Sequence, residues 1–369
     1  MRIVIVVQHL TGGGAERVAA LWAKGFAQKG HEVYVVITND QKPVTYLLPD
    51  NVKLLSAASH KKNKVLRVVE RMCKFRRLFK KIRPQVAIDV QPTFDRIIAR
   101  FGLGCYNVST EHDSFERPKN AEYKLEWFRK YWINQLYDHV TVLTQADKDV
   151  IGKRLRHVSV LPNPLALEPA ATVPHKERIV LAVGRKYAWH YKGFDLLIKA
   201  WAKIRAEVSG WKLQIVGDSR RGGQDFLEQL CRELSVTDSV EFPDFQQNIQ
   251  SYYERAAVYV LSSRYEGFGL VLIEAMSQGC ACVVCDYKGR QCEIVTSGVD
   301  GITCEPDNIN DLAKAIRTLI VDEELCSRLQ VNAVRRAGDF SIENIMDRWE
   351  EILRKVTISE YKKSNGIPD

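Results

Sequence analysis

Two glutamates bracket a glycine-containing turn that follows an apolar run of the chain. Glu266 stands shortly after Ala256–Leu261, a run typical of a buried strand, and Glu274 lies in a segment from Leu270 that favours a helix. Glycines in the turn allow close backbone approach, and the free N–H groups at a helix start favour an anion. Each helical residue rises ~1.5 Å, so Glu274 would stand about one turn deeper than the glycines. The carboxylates could therefore contact different parts of one elongated ligand, such as a polyol that carries phosphate; alternatively, Glu266 is solvated and Glu274 packs in the core.

Two cations follow another apolar run, at the position where a strand would end. Arg185 and Lys192 lie after residues 179–183, and ligands of open α/β sheets bind at the carboxyl ends of strands. Arginine offers a planar fork and lysine a point charge, and a diphosphate can use both. These residues indicate a diphosphate site, unless both cations are simply solvated at the surface.

A glycine-rich turn follows the first predicted strand, Arg2–Val7, and opens the first predicted helix. Residues 11–17 are typical of a turn that holds a phosphate or diphosphate. The turn resembles the dinucleotide fingerprint, but Arg17 stands where that pattern requires glycine or alanine. Asp40 could serve as the ribose-binding acid, yet the imperfect pattern disfavours a dehydrogenase.

One histidine follows a predicted strand and has polar neighbours. His112 lies after residues 107–109, where it could orient a substrate hydroxyl or stabilise developing charge, or could be structural. Asp147 and Asp149 form a D-x-D pattern, but residues two apart on a helix do not face each other. No other spacing of His, Asp or Glu suggests a metal cage, so we predict neither a metal nor a cofactor.

A strongly basic segment, Lys64–Ile82, has the periodicity of an amphipathic helix. Its apolar stripe consists of Val65, Val68, Val69, Met72, Phe75, Phe79 and Ile82. From residue 61 to residue 83 the chain has a single acid, Glu70, among many lysines and arginines. Such a helix could lie near an anionic membrane or hold a phosphorylated substrate; alternatively, it docks on the core and its basic face is solvated. The residues predicted to contact acceptor or membrane are Arg71, Lys74, Arg77 and Lys81.

The composition favours two domains, free thiols and acidic partners. The chain has 369 residues, a 46% hydrophobic share and a net charge of +9, which suits packed cores and partners such as nucleotides, phospholipid surfaces or nucleic acid. We find no signal peptide and no spanning segment, so we expect a cytoplasmic protein, with the inner face of the cell membrane as a peripheral location. The odd count of 9 cysteines predicts reduced thiols, with Cys280, Cys282 and Cys285 as buried small hydrophobes.

Predicted strands alternate with predicted helices, which favours an α/β fold built on parallel sheets. The first series has strands at 2–7, 32–38, 86–90, 107–109 and 139–143, and helices at 15–29, 64–82, 125–136 and 145–154. A proline-rich linker follows at 161–174. The second series has strands at 179–183, 213–216, 240–242, 258–261, 282–285 and 302–304. An apolar stripe at 342–356 predicts a final helix that must bury itself against another element.

Taken together, these stretches resemble the retaining GT-B glycosyltransferases of family 4 over nearly the whole chain. Residues 13–17 are similar to the family's N-terminal loop, and residues 110–113 to its histidine motif. Gly184 and Arg185 with residues 192–195 resemble its diphosphate motif, and Glu266 with Glu274 its E-x7-E motif. Residues 298–301 match the turn that usually follows. The chain departs from the family at 163–164 and 288–291, which leaves the donor sugar open.

The resemblance implies two Rossmann-like parallel-sheet domains that face a cleft, and a C-terminal helix that crosses back to the first domain. We place an acceptor-binding domain at residues 1–164, completed by the helix at 341–358. A nucleotide-sugar-binding domain is placed at residues 165–340.

The resemblance also implies roles for particular residues. Arg185 and Lys192 would neutralise the diphosphate leaving group, and Glu274 would bind the ribose hydroxyls. Glu266 would hold a donor-sugar hydroxyl, and His112 would contact the sugar near the reacting carbon. The loop at 244–247 would meet the nucleobase. The remaining donor-binding residues are Gly13, Gly14, Gly184, Phe245, Gly267, Phe268, Gly269, Leu270 and Val271.

We therefore expect a retaining, metal-independent glycosyltransferase that moves a hexose or N-acetylhexosamine from a UDP-sugar in cell-surface polysaccharide synthesis. The departing phosphate would help to deprotonate the acceptor, which would be a glycan, and the basic helix motivates the hypothesis that this glycan is lipid-linked. One alternative is a sugar-nucleotide epimerase of similar fold, which would need no acceptor. Another is a basic nucleic-acid-binding protein, which the lack of aromatic-interleaved basic motifs disfavours.

Overall fold

The computed structural model describes residues 1–116, 123–219 and 222–364, and the side chains within these ranges except those of 123–125 and 355–364. The chain forms two compact units. Unit 1 comprises Met1–Pro164 and the C-terminal segment that begins at Ser341, and unit 2 comprises Leu165–Phe340.

Unit 1 is built on a sheet of parallel strands. In chain order the strands are β1 (Arg2–Val7), β2 (Glu32–Ile37), β3 (Lys53–Ser56), β4 (Val86–Val90), β5 (Tyr106–Thr110), β6 (His139–Val142) and β7 (Val158–Val160). Their order across the sheet is β3-β2-β1-β4-β5-β6-β7, so the direction of progression reverses between β1 and β4. In open α/β sheets this reversal creates a crevice in which ligands bind.

Helices connect the strands of unit 1. They are α1 (Gly14–Gln28), α2 (Lys64–Ile82), α3 (Phe94–Arg100), α4 (Tyr123–Phe128) and α5 (Gln145–Ile151). A π-helical turn at Arg129–Ile133 and a 3-10 turn at Asn134–Leu136 continue α4. The continuous helix predicted at 125–136 is therefore wrong in detail, because its backbone changes hydrogen-bonding pattern twice.

Unit 2 repeats the architecture. Its strands are β8 (Glu177–Val183), β9 (Lys212–Val216), β10 (Val240–Glu241), β11 (Ala256–Leu261), β12 (Ala281–Cys285) and β13 (Ile302–Cys304), which lie in the order β10-β9-β8-β11-β12-β13. Its helices are α6 (Trp189–Lys192), α7 (Phe194–Ile204), α8 (Gly223–Glu233), α9 (Gln250–Arg255), α10 (Leu270–Ser277), α11 (Ile309–Val321) and α12 (Glu323–Ala337). The predicted α/β fold with two Rossmann-like parallel sheets is confirmed.

The cysteines of the second sheet lie in the core, as predicted. Cys280, Cys282 and Cys285 are free thiols and are buried. Burial raises the pKa of the Cys280 thiol to about 11, so this cysteine stays protonated and behaves as a small hydrophobe. Among the described helices, none combines the length and apolar character needed to cross a bilayer.

The C-terminal helix α13 (Ile342–Ser364) belongs to unit 1 and packs on α1. Its Trp349 is fully buried and meets Trp22 edge-on, with ring centroids 5.1 Å apart. Gly25 of α1 leaves room for Met346, since a Cβ atom at this position would lie 2.5 Å from the Met346 Cγ. The predicted stripe therefore buries itself against the first domain, and the prediction that the final helix returns there is confirmed; the side chain of Val356, the last residue of that stripe, lies outside the described residues.

Replacing Trp349 by alanine should destabilise unit 1. The variant leaves a cavity against Trp22 and Phe26, and buried Trp→Ala substitutions cost about 3–5 kcal/mol of unfolding free energy. The control is Trp132→Ala, since that tryptophan is 55% exposed and should change the free energy by no more than about 0.5 kcal/mol. Urea unfolding followed by circular dichroism measures both, and equal losses would contradict the docking role of α13.

Candidate active site

The strand, turn and helix predicted around the two glutamates are present in unit 2. β11 is buried along its whole length, and α10 begins at Leu270 after Gly269. Gly269 has φ 96°, a left-handed conformation that favours glycine. The first amides of α10 therefore open directly from a glycine turn, as an anion site requires.

The turn places Glu266 against Lys192. The Lys192 Nζ lies 2.7 Å from the Glu266 Oε2, although the residues are 74 positions apart. The Ser263 hydroxyl donates to the same carboxylate oxygen over 3.3 Å. The pair is accessible, with side chains 25% and 18% exposed, so a ligand can reach both charges. The structure thus brings together a predicted diphosphate cation and a predicted sugar-binding carboxylate.

A close backbone contact holds Lys192 in this position. Gly193 has φ 63°, and a Cβ atom on it would lie 1.9 Å from the Ser262 carbonyl oxygen. The Ser262 hydroxyl donates to the Lys192 carbonyl oxygen over 2.8 Å. Any larger residue at 193 would push the Lys192 loop away from the end of β11.

Arg264 clamps the same two segments, and the sequence analysis missed it. Its guanidinium donates to both carboxylate oxygens of Asp195 over 2.7 and 2.8 Å, and to the His190 carbonyl oxygen over 2.7 Å. It also donates to Asp307 over 2.6 Å. The bidentate geometry fixes α7 relative to the Glu266 turn. The available signal was the Arg264-Tyr265-Glu266 sequence together with an aspartate three residues after Lys192.

The other predicted diphosphate residues lie at the end of β8. Gly184 packs against Gly217, where a Cβ atom would lie 1.8 Å from the Gly184 carbonyl oxygen. Arg185 follows and is exposed at the carboxyl edge of the sheet. β8 neighbours β11 in this sheet, so Arg185 and the Glu266 turn follow adjacent parallel strands.

Glu274 is a buried residue of α10. It is 2% exposed and accepts a hydrogen bond from the Tyr253 hydroxyl over 3.2 Å. Burial is the main reason that the pKa of Tyr253 is raised well above its ordinary value, so this phenol remains a donor. The prediction that Glu274 stands one helical turn beyond the glycines is confirmed, and its contact with ribose stays a prediction.

Lys186 is a second residue that the sequence analysis missed. It is fully buried, and its ammonium donates to Gln224 over 2.7 Å and to the carbonyl oxygens of Phe242 and Pro243 over 2.9 and 3.0 Å. Desolvation lowers the pKa of Lys186. The lysine thereby ties the end of β8 to the loop after β10, in which Phe245 is 67% exposed.

In unit 1, His112 is held as a neutral imidazole. Its ring lies 5.5 Å from Trp22, and its nitrogens lie 3.2 Å from the Thr110 hydroxyl and from the Asn163 side-chain oxygen. Burial lowers the pKa of His112 to about 4, and the nearby Asp113 and Glu111 only partly oppose this. The imidazole therefore carries one donor and one acceptor at neutral pH.

In unit 1 the carboxylate of Glu16 lies beside the glycine-rich turn. The Glu16 carboxylate folds over Gly13, since a Cβ atom on Gly13 would lie 1.8 Å from the Glu16 Oε2. Gly14 is the first residue of α1. A carboxylate therefore lies close to the helix start, and phosphate binding at this turn stays a prediction.

A cavity of about 400 Å³ lies in unit 1 at the carboxyl edge of its sheet. Gln8 follows β1 and Gln91 follows β4, so the cavity sits at the reversal of strand order. Gln91 has φ 59°, a left-handed conformation that is strained for a non-glycine residue. The cavity is lined by Gln8, Thr38, Arg71, Gln91, Pro92, Thr93, Arg96, Asp113, Glu126 and Arg129.

Charged residues of the cavity are fixed by neighbours in unit 1. Arg129, in the π-helical turn, pairs with both oxygens of Glu111 over 3.0 and 3.1 Å. Arg96 is 4% exposed and donates to the Val90 and Gln91 carbonyl oxygens. The Asp113 carboxylate has no hydrogen-bond or ion-pair partner among the described residues. The cavity thus offers both donors and an acceptor, which suits a polyol.

The predicted basic contact residues of α2 fall into two groups. Arg71 pairs with Asp95 over 2.7 Å, and Lys74 donates to the Ala58 carbonyl oxygen over 2.5 Å. Arg77 and Lys81 are exposed. The core covers only the second half of the apolar stripe, because α2 buries Phe75, Phe79 and Ile82 and leaves the first half exposed.

Comparisons with known proteins agree with this architecture. A family model described as "Glycosyltransferase Family 4" matches residues 12–168, and one described as "Glycosyl transferases group 1" matches residues 166–336. An uncharacterised glycosyltransferase of Haemophilus influenzae is 27% identical, over 93% of this chain and 97% of its own.

More distant similarities also extend over nearly full length. A Campylobacter jejuni protein is 26% identical over 96% of this chain and 99% of its own; its name is "GalNAc-alpha-(1->4)-GalNAc-alpha-(1->3)-diNAcBac-PP-undecaprenol alpha-1,4-N-acetyl-D-galactosaminyltransferase". Anabaena HepE, solved in complex with UDP and glucose, has a TM-score of 0.80 at 21% identity, covering 96% of this chain and 100% of its own. Together the two family models match the chain from residue 12 to residue 336, and this chain belongs to the GT-B glycosyltransferases of family 4.

Proposed function

We propose that this glycosyltransferase moves a hexose or N-acetylhexosamine from a UDP-sugar to a lipid-linked glycan, with retention and without a metal, in cell-surface polysaccharide synthesis. The observation that carries the proposal is the Lys192–Glu266 pair beside the first amides of α10. A cation and helix amides suit a diphosphate, and a carboxylate suits sugar hydroxyls.

The named relatives support the choice of donor and acceptor. The Campylobacter protein is named as an N-acetylgalactosaminyltransferase that acts on a diphospho-undecaprenol-linked glycan. A relative from Erwinia amylovora, 26% identical over 95% of this chain, is named for amylovoran biosynthesis. HepE is solved with UDP and glucose. These names support a UDP-sugar as the donor and a polysaccharide as the product.

The donor would bind along the carboxyl edge of the second sheet. Lys192 and Arg185 would neutralise the diphosphate, with the amides of Gly269, Leu270 and Val271 as further donors. In the structure Glu266 is the counter-ion of Lys192. The diphosphate would replace that carboxylate as the partner of Lys192. Glu266 would then accept a hydrogen bond from a hydroxyl of the donor sugar. Phe268 and Gly267 would support the sugar through the turn.

The ribose and the base of the nucleoside would contact two different elements of unit 2. Glu274 would bind the ribose hydroxyls, with Tyr253 holding its carboxylate through the hydrogen bond described above. The loop that Lys186 fixes would bind the base, with the exposed ring of Phe245 available for stacking. Gly184 would allow close approach of the phosphates to β8.

The reaction would be a front-face substitution. Arg185, Lys192 and helix amides supply the positive charge that a departing diphosphate needs, so we propose that the reaction is metal-independent. We assign no carboxylate as a nucleophile. The C–O bond to the diphosphate would break as the acceptor oxygen attacks from the same face, and the acceptor proton would pass to the leaving phosphate.

The acceptor would bind in the cavity of unit 1. Its arginines can donate hydrogen bonds to sugar hydroxyls, and Asp113 can accept hydrogen bonds from them. Gln8 and Gln91 can both donate and accept. His112 adjoins Asp113 in the chain, and as a neutral imidazole it would contact the reacting sugar without adding charge. Gly13 and Gly14 would contact the donor. Arg77 and Lys81 would contact the membrane surface or an acceptor diphosphate.

Replacing Glu266 by glutamine should separate donor binding from transfer. The variant keeps the size of the side chain but removes the charge that pairs with Lys192, so UDP should bind as tightly as before or several-fold more tightly. Sugar transfer should fall about 100-fold, a loss typical of one missing polar contact in the transition state. Lys192→Met is the matched variant, and it should lose UDP binding. Calorimetry and a transfer assay measure both, and wild-type transfer by Glu266→Gln would contradict the role.

Replacing Lys186 by methionine should weaken recognition of the base. The variant removes the donor that holds the Phe242 and Pro243 carbonyls, so the affinity for UDP should fall about tenfold, ~1.4 kcal/mol. The affinity for inorganic diphosphate should stay within about twofold, because Lys192 and Arg185 are intact. The control is Lys203→Met, which changes an exposed lysine of α7. Equal losses for UDP and diphosphate would contradict a role confined to the base loop.

Burial of His112 predicts that stability falls with acid. The unfolded state binds a proton on this residue near pH 6.5, whereas the folded state binds it only near pH 4. The free energy of unfolding should therefore decrease as the pH drops from about 6.5 to 4, by about 3 kcal/mol from this residue. His112→Asn should flatten this part of the pH profile in urea unfolding. An unchanged profile for His112→Asn would contradict the neutral imidazole.

A further inference from the structure

The first half of α2 exposes its apolar side chains. Val65 is 70% exposed, Leu66 56% and Val69 51%, while the second half of the helix is docked on the core. Isolated exposed apolar residues are common on protein surfaces, but a contiguous group marks an interaction site. The helix therefore has an unpartnered apolar end.

A second element of unit 1 exposes aromatic residues. Phe128 is 49% exposed, Trp132 55% and Leu136 37%. They stand four positions apart along α4 and the two turns that continue it, and the rings of Phe128 and Trp132 are stacked with centroids 6.2 Å apart. Trp127 adds a further ring that is 42% exposed. We call Trp127, Phe128, Trp132 and Leu136 the aromatic stripe.

The elements that carry both surfaces also contribute residues to the lining of the unit 1 cavity. α2 contributes Arg71 to the cavity lining, three positions after Val68, which is 38% exposed. The segment of the aromatic stripe contributes Glu126 and Arg129 to the same lining. Phe94, which is 57% exposed, follows the lining residue Thr93. The cavity lining therefore includes residues that lie close in sequence to exposed apolar side chains of three helices.

The charge around these residues favours an anionic partner. Lys61, Lys62, Lys64 and Arg67 are exposed beside the apolar end of α2. The nearest acid on the helix, Glu70, accepts from Ser59 and lies 3.2 Å from the ammonium of Lys74. Apolar and aromatic side chains with flanking cations match the interface of a bilayer, where Trp sits at the headgroup level and Lys or Arg meets anionic lipid.

We propose that the aromatic stripe and the exposed end of α2 insert into the interface of an anionic lipid bilayer, so that the cavity of unit 1 opens beside the membrane. The inference rests on the proposed function, because a lipid-linked acceptor keeps its chain in the bilayer while its glycan enters the cavity. Cations attract the protein to the surface, and the stripe anchors it there. This assignment adds the aromatic stripe to the basic residues predicted from the sequence.

Vesicle co-sedimentation tests the proposal. The wild-type protein should bind vesicles of phosphatidylcholine with 30% phosphatidylglycerol and bind vesicles of phosphatidylcholine alone much less. The double variant Phe128→Ser with Trp132→Ser keeps every cation, and its affinity for the anionic vesicles should fall at least tenfold. The matched control is Val321→Ser with Val331→Ser, which removes two exposed apolar residues from unit 2 and should bind like the wild type.

UDP affinity and the melting temperature provide the second readout. Both should be unchanged in the stripe variant. The loss of vesicle binding would then come from the removed aromatic side chains and not from unfolding or a damaged donor site. The proposal is overturned if the stripe variant binds anionic vesicles as the wild type does, or if the wild type binds none. It is also overturned if the stripe instead holds two copies together, seen as a dimer in sedimentation that the variant abolishes. Failure of the wild type to bind any nucleotide would contradict the proposed function and leave the vesicle result standing.

Discussion

The proposed donor site depends on keeping positive charge at the carboxyl edge of the second sheet. Lys192 supplies that charge, and Glu266 balances it at 2.7 Å. Two independent restraints keep the pair together: the close approach of Gly193 to Ser262, and the clamp of Arg264 on Asp195. A diphosphate that displaces Glu266 would therefore find a cation already in place, which reduces the reorganisation that binding requires.

In unit 1 two buried charges are paired with each other. Below its cavity, Asp89 and Arg100 form a bidentate pair that is fully buried, and the Tyr137 hydroxyl also donates to Asp89. Such a network costs desolvation, which its charge pair and hydrogen bonds offset, although the Arg100 Nε has no hydrogen-bond partner among the described residues. It supports α3, from which Arg96 reaches the cavity. A crevice lined by both arginines and carboxylates suits the hydroxyls of a sugar, whereas the edge of the second sheet suits an anion.

Much of this arrangement was accessible from the sequence. The apolar run before Glu266, the glycines after it and the helix from Leu270 follow from local composition, and α2 begins and ends as predicted. The strands β3 and β7 and the helix α3 were missed, because they are short and, for the two strands, lie at the sheet edges, where hydrophobic patterning is weak. Family membership also disfavours the epimerase, dehydrogenase and nucleic-acid-binding alternatives.

The remaining features arise from contacts that sequence spacing does not encode. Lys192 and Glu266 were predicted to bind the same donor, but their pairing depends on adjacent strands that are distant in the chain. Lys186 is fully buried, which its residue type does not predict because lysines are rarely buried. The exposed half of α2 could not be foreseen, because a helical stripe shows which residues share a face and not how far its partner extends.

The most direct measurement is a crystal structure of the protein with bound UDP. We predict that the diphosphate contacts Lys192 and Arg185, that Glu266 has left the Lys192 ammonium, and that the uracil lies at the loop containing Phe245. UDP bound elsewhere, or bound with the Lys192–Glu266 pair intact and remote from the phosphates, would contradict the account.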